Sequence, residues 1–214
     1  MDLRTFNNLD KKKQNRIFRA ALREFSERGY AGASINRIVA DLGIAKGSIF
    51  QYFGDKQGLF EFVFLKAVEI VKDHLKKVRD ETTDLNFFTR IEILLVSGIA
   101  FLRKNSRIYS LYTKILYEGN LKFCSDLFTS IRRESFDFLS EMIRLAVSRG
   151  EVRSDLDIAC ATFYLDSLLD RFLQAYMLEH FGSHPGLYKA KDEDINTWVK
   201  GLVSLLRKGM EKGN

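Results

Sequence analysis

The stretch "GIAKGSIFQYFGDK" (43–56) decides how the chain is read. It gathers three glycines, two lysines, a serine and the rings of Phe50, Tyr52 and Phe53. Glycine, lysine and serine together suggest a phosphate loop. Such a loop needs four residues between its first glycine and a Gly-Lys-Ser/Thr triplet. Here the order is Gly43-Ile44-Ala45-Lys46-Gly47-Ser48, with the lysine ahead of the second glycine and no strand-like run before it. Spacing and context both exclude a nucleotide loop.

A DNA-reading helix accounts for the same residues position by position. Ile49 and Phe53 lie four apart and face inward on a short helix over about 45–52. Phe50 projects beside Lys46, on the other side. Gly47 inside a helix costs about 1 kcal/mol relative to alanine, which makes sense if the backbone must approach a surface closely. Lys46 can reach a guanine edge or a phosphate, Gln51 can pair with adenine, and Phe50 can press on a thymine methyl group. Ser48 can donate to a phosphate, and Tyr52 and Lys56 can pin the flanking backbone. The bland alternative is that the aromatic residues are all core. It is accepted for Phe53, with Ile49, and not for Phe50.

Working outward, Ser34 is the expected N-cap of a helix whose Ile35, Ile38, Val39 and Leu42 share one face, and Gly43 ends it. A longer helix over 10–28 carries the stripe Ile17, Phe18, Ala21, Leu22, Phe25, and Gly29 stops it. A packing helix followed by two short helices and a glycine turn is a helix-turn-helix unit. Residues 1–54 hold ten Lys/Arg against five Asp/Glu, so this first quarter carries +5 of the chain's net +6. A basic module on a nearly neutral body points to an anionic partner at one end.

Asp55 should cap a fourth helix reaching about Arg79. Its apolar start, "LFEFVFLKAVEIV", predicts burial from two sides and a role as mechanical connector. Further helices are expected over 85–104, 106–118, 121–149, 155–181 and 191–211. The chain is thus read as all-α with about nine helices: a helix-turn-helix domain at 1–56 and a larger helical domain at 57–214. A single proline, Pro185, in 214 residues agrees with this. Cys124 and Cys160 lie in apolar helical runs and are expected as buried thiols in a reducing cytoplasm. The polar start predicts no signal peptide, and "IEILLVSGIAFL" (91–102) is too short to span a bilayer.

"ALREFSERGYAGASINRIVADLGIAKGSIFQYFGDKQGLF" (21–60) resembles the DNA-binding domain of the TetR family of bacterial transcription regulators. The matching features are Phe25, Gly29-Tyr30, Ser34-Ile35, Ile38-Val39, Gly43, Lys46 to Phe50, Tyr52-Phe53 and Lys56. The resemblance implies a homodimer reading a palindromic or near-palindromic double-stranded operator, usually as a repressor. It puts Ser34, Lys46, Gly47, Ser48, Phe50, Gln51, Tyr52 and Lys56 at positions that commonly meet DNA. Ala45 stands where serine is common and Phe50 where tyrosine is usual, so two hydroxyl contacts are missing.

The resemblance also implies a small-molecule chamber in the body and pairing through the last two helices. Phe101, Tyr109, Tyr112, Phe128, Phe136 and Phe163 are the aromatic candidates for the chamber, with ordinary core packing as the alternative for each. Arg103, Asp166 and Asp170 are the polar candidates. The two aspartates, one turn apart, could hold a ligand's cation or pair with Arg171 or a partner subunit. The aromatic content favours an apolar or amphipathic effector. Ile195, Trp198, Val199, Leu202 and Leu206 form the expected dimer face.

Enzymatic chemistry finds no support. The histidines are His74, His180 and His184, and the i, i+4 pair among them straddles Gly182 and precedes Pro185. There is no nucleophile elbow, metal-ligand cluster or dinucleotide fingerprint, so no metal or cofactor is expected. Two other readings stay open on the same fold: an activator, and an adaptor that binds protein rather than DNA.

Overall fold

The computed structural model describes residues 3–118 and 122–211, with side chains for all of these except 118, 122–124 and 127. Among them are eleven helices. Nine are long: α2 (Lys11–Gly32), α3 (Ile35–Leu42), α4 (Lys46–Phe53), α5 (Lys56–Thr82), α6 (Phe87–Lys104), α7 (Ser106–Glu118), α8 (Lys122–Ser148), α9 (Ile158–Met177) and α11 (Asp192–Met210). Two are single turns that periodicity does not reveal, α1 (Arg4–Asn7) and α10 (Glu179–Gly182). An isolated antiparallel bridge joins Val152 to Glu211. None of the described helices is long and apolar enough to cross a membrane.

The chain divides into two compact units. The first comprises Met1–His74 and Asn105–Cys124, the second Leu75–Lys104 and Ser125–Asn214. Helix α5 contributes residues to both.

In the first unit α2 begins at Asp10, whose side chain accepts the Lys13 N–H at 3.0 Å. Its stripe of Ile17, Phe18, Ala21, Leu22 and Phe25 is buried. Gly29 does not end the helix; it breaks the helix at φ 66° and ψ 178°, and one more turn follows. Only glycine adopts that conformation without strain. The break turns Tyr30 onto Phe60 (5.3 Å between ring centres), beside the Phe25–Phe60 pair at 4.9 Å. Gly43, at φ 66°, caps α3 in the left-handed conformation. Asp55 caps α5 by accepting the Gly58 N–H at 2.8 Å. Helix α7 lies against α2 and buries Ile108, Leu111 and Ile115.

The polar N-terminal stretch hides one core residue. Phe6 is buried, with its ring 5.0 Å from Phe53 and 4.8 Å from Phe62. Gln14 fixes this turn from α2, donating to the carbonyls of Leu9 (2.9 Å) and Asn7 (3.1 Å).

In the second unit α6 packs on α9 and α11. A methyl group on Gly98 would come within 3.0 Å of Leu173, so the glycine sets how closely α6 and α9 approach. Leu95, Ile99, Leu165, Phe172, Ile195, Val199, Val203 and Leu206 form the core of this packing. Gly182 lets the α10 turn fold against α9, since a Cβ there would strike the Ala175 carbonyl.

Cys160 is exposed, contrary to the expectation of a buried thiol. It stands in the first turn of α9, on the side turned away from Ala161 and Leu165. The side chain of Cys124 lies outside the described residues.

Candidate nucleic-acid interface

Helix α4 is held from behind and open in front. Ile49 is fully buried and Phe53 nearly so, packed on Phe6 and Phe62. On the other side Ala45, Lys46, Gly47 and Gln51 are exposed, and Phe50 leaves 42 % of its surface to solvent. The Lys46 Nζ lies 5.7 Å from the centre of the Phe50 ring, so the cation and the aromatic face form one patch. Ser48 is half-buried at its edge.

Gly47 has no role inside the chain. A Cβ built on it meets nothing within 4 Å, and its backbone is ordinary helix. Folding therefore tolerates any small side chain there. A residue that weakens its own helix and serves no internal contact fits a surface that another molecule must approach closely.

Three charged side chains fix the frame behind this patch. Glu24 is buried on α2, where its Oε1 accepts the Ser34 N–H at 2.9 Å and the Arg37 Nε–H at 2.8 Å. Burial pushes the Glu24 carboxyl upward, but the hydrogen bonds from Arg37 and Ser34 outweigh it and hold the group below its usual range. Arg37 also donates to the Gly32 carbonyl at 2.6 Å. Arg16 reaches the last carbonyl of α3, Leu42, at 3.1 Å. The start of α3 is thus tied to α2 by Glu24, and its end by Arg16.

Several site residues sit differently from the expectation. Ser34 occupies the N-cap position of α3, but its side chain makes no capping bond; Glu24 takes its N–H instead. The Tyr52 ring is buried, edge-on to Phe6 at 6.1 Å, and belongs mainly to the core. Lys56 is engaged within the unit: its Nζ donates to the Ala31 carbonyl at 3.1 Å and lies 4.8 Å over the Tyr30 ring. Burial, then the charge of Arg37, lowers its pKa. Lys46, Gly47, Phe50 and Gln51 remain as a continuous exposed row. Sequence reasoning missed the positioning roles of Glu24 and Phe6, which are buried, and of Arg16 and Arg37, which are exposed.

The chamber candidates are dispersed. Tyr109 and Tyr112 belong to the first unit, their rings 6.0 Å apart. The others belong to the second. There Phe101, Phe128 and Phe136 are half-buried, whereas Phe163 is 68 % exposed and lines no interior. Arg103 is a structural tie: it donates to the Tyr176 hydroxyl (2.7 Å), the Ala190 carbonyl (3.0 Å) and Asp192. Asp166 pairs with Arg132 of α8, not with Arg171. Asp170 accepts the Gln174 amide at 2.7 Å, and burial pushes its pKa up.

The expected dimer face also needs correction. Ile195, Val199 and Leu206 are buried within their own unit. Trp198 is exposed and Leu202 half-buried, and the more prominent residues are Leu205 at 64 % exposure, Phe163 and Tyr164. Between α9 and α11 lies an open groove of about 390 Å³, lined in part by Cys160, Ala161, Tyr164, Leu205 and Met210.

Residues 17–63 match the family model for bacterial regulatory proteins of the tetR family. This span contains α3, α4, Glu24 and the exposed row. Residues 17–63 thus form a DNA-binding domain of the tetR family. It is 25 % identical over 146 residues to an HTH-type transcriptional regulator of Staphylococcus aureus (strain USA300), a match covering 64 % of this chain and 79 % of that one. A TetR family transcriptional regulator from Chloroflexus aurantiacus J-10-fl superposes with a TM-score of 0.73 at 25 % identity, covering 98 % of each chain. AibR, solved in complex with isovaleryl coenzyme A and operator DNA, shares the fold at a TM-score of 0.66 and 20 % identity, covering 90 % of this chain and 97 % of AibR. TetR-family regulators generally bind DNA as dimers and respond to small molecules. This chain is all-α, with the DNA-binding helix-turn-helix of such regulators in α3 and α4.

Proposed function

We propose that the protein is a homodimeric repressor that reads a palindromic operator through α4 and releases it when a small apolar or amphipathic molecule binds. The observation that carries this reading is the exposed row Lys46, Gly47, Phe50, Gln51 on a helix whose opposite side is locked by Ile49 and Phe53. Lys46 and Gln51 bring donors and acceptors suited to base edges, Phe50 an apolar face for thymine methyl groups, and Gly47 the clearance for the helix to enter the groove.

Pairing would run through α9 and α11. Phe163 and Tyr164 on α9, with Trp198, Leu202 and Leu205 on α11, give an apolar surface exposed in one protomer. Burying it against a symmetry mate joins four helices. Two-fold symmetry then calls for half-sites one DNA turn apart, about 34–36 Å.

A ligand acts as a switch only if it favours one of two dimer geometries. Helix α5 is the proposed lever, because one continuous helix supplies residues to both units. An amphipathic effector has a precedent in the isovaleryl coenzyme A of the AibR complex.

The test is selection of tight binders from a random double-stranded DNA pool at physiological salt. A two-fold symmetric motif supports the reading and supplies the half-site spacing. A folded protein that enriches no motif contradicts it and favours the adaptor. Placing the selected site in a promoter-reporter assay then separates repression from activation.

A further inference from the structure

Arg90, in the first turns of α6, is 6 % exposed, and its side chain makes no hydrogen bond or ion pair among the described residues. Its Nε–H is fully buried without an acceptor. Glu151 attracts Arg90 but does not pair with it: its Oε2 accepts the Phe87 N–H at 2.6 Å, capping the start of α6. A second cation adds to the imbalance. Arg149, exposed at the end of α8, donates to the Thr83 carbonyl at 3.0 Å and lies close enough for its charge to act on Arg90. Burial, then Arg149, lowers the Arg90 pKa, and the attraction of Glu151 does not restore it. Arg207 also lies at this end of α6, 4.3 Å over the Phe88 ring, but its charge is paired with Glu211 at 2.7 Å.

A buried guanidinium without a partner is costly, and its planar fork matches a carboxylate or phosphate. We propose that Arg90 and Arg149 form a binding site for a small oxyanion, a phosphate or a carboxylate, at the junction of α5, α6 and α8 in the second unit. Arg90 supplies the desolvated charge and Arg149 the accessible second donor. Glu151 holds the first turn of α6 in place and offsets part of the positive charge without pairing with Arg90. The site is separate from α4 and from the α9–α11 groove, so it stands or falls independently of DNA reading.

The test is thermal denaturation of the whole protein in inorganic phosphate, and separately in acetate, each against sodium chloride at matched ionic strength. A ligand that binds only the folded state raises Tm with concentration. Four proteins are compared: wild type, Arg149→Gln, Arg90→Met and Lys46→Ala. The expected result is a rise in Tm for wild type and Lys46→Ala with at least one of the two anions. In Arg149→Gln, an exposed position that should fold normally, the rise falls at least threefold. Arg90→Met keeps the aliphatic stem; it should melt no lower than wild type in chloride and ignore the anion. A response to phosphate alone identifies a phosphate group, and a response to acetate a carboxylate. No rise with either anion overturns the proposal, as does a full rise in Arg149→Gln.

Discussion

The Nζ of Lys46 lies 5.7 Å from the centre of the Phe50 ring, and both side chains stand on the face of α4 that the protein leaves open. Neither is buried. Substituting either one should therefore change binding and leave folding nearly untouched. Lys46→Ala should cost on the order of 1–3 kcal/mol on the selected operator if the lysine reads a base, with relaxed preference at one position. If it meets only phosphate, affinity should fall on all sequences and the salt slope should shrink by about one. Binding isotherms at several salt concentrations decide between them. An unchanged isotherm would remove Lys46 from the interface.

Phe6 acts in the opposite sense. It touches nothing outside the core, yet its ring supports Phe53 and Tyr52 behind α4. Phe6→Ala should destabilise the fold by about 3–5 kcal/mol, the usual range for a fully buried phenylalanine. Denaturant titration followed by circular dichroism measures it. A loss below about 1 kcal/mol would mean that the α1 turn is not part of the folded core.

Glu24 gives the helix-turn-helix a pH dependence. Its carboxyl is held below the usual range, so its contribution is fully present above the unfolded-state value of 4.5. That contribution is lost as pH falls below 4.5 toward the folded-state value. Glu24→Gln should therefore be less stable than wild type by a constant amount between pH 6 and 8, and the gap should narrow as pH drops below about 4.5. A gap that stays constant down to pH 3 would contradict the pairing with Arg37 and Ser34.

How much of this was legible beforehand depended on where each signal resides. The nine long helices announce themselves through apolar spacing, and α3 and α4 through Gly43 and the Ile49–Phe53 pair. Phe6 was hidden because a lone phenylalanine in a polar stretch has no period; its burial comes from Phe53 and Phe62, far along the chain. Asp166 likewise found Arg132 on α8, a partner no local spacing indicates. On α11 the sequence marks an apolar face but cannot say whose core it fills. Ile195, Val199 and Leu206 fill their own protomer's, while Leu205, one residue from Leu206, points away.

That separation within α11 yields another prediction. Leu205→Glu should convert a dimer to a monomer at micromolar concentration with little change in helix content, because the side chain is 64 % exposed in the protomer. Val199→Ala should instead lower stability by about 1–3 kcal/mol without shifting the oligomeric state. Sedimentation velocity distinguishes them. A Leu205→Glu protein that remains dimeric would move the pairing surface away from α9 and α11.

The most direct test of the claim that α4 enters DNA is Gly47→Ala, measured for stability and for operator affinity on the same sample. The added methyl group meets nothing within 4 Å and improves helix propensity, so the melting temperature should rise, by up to about 1 kcal/mol in stability. Operator affinity should fall at least tenfold, because the methyl group occupies the clearance through which the helix approaches DNA. A variant more stable than wild type and equally tight on DNA would contradict the account, since α4 would then not lie against the duplex at Gly47.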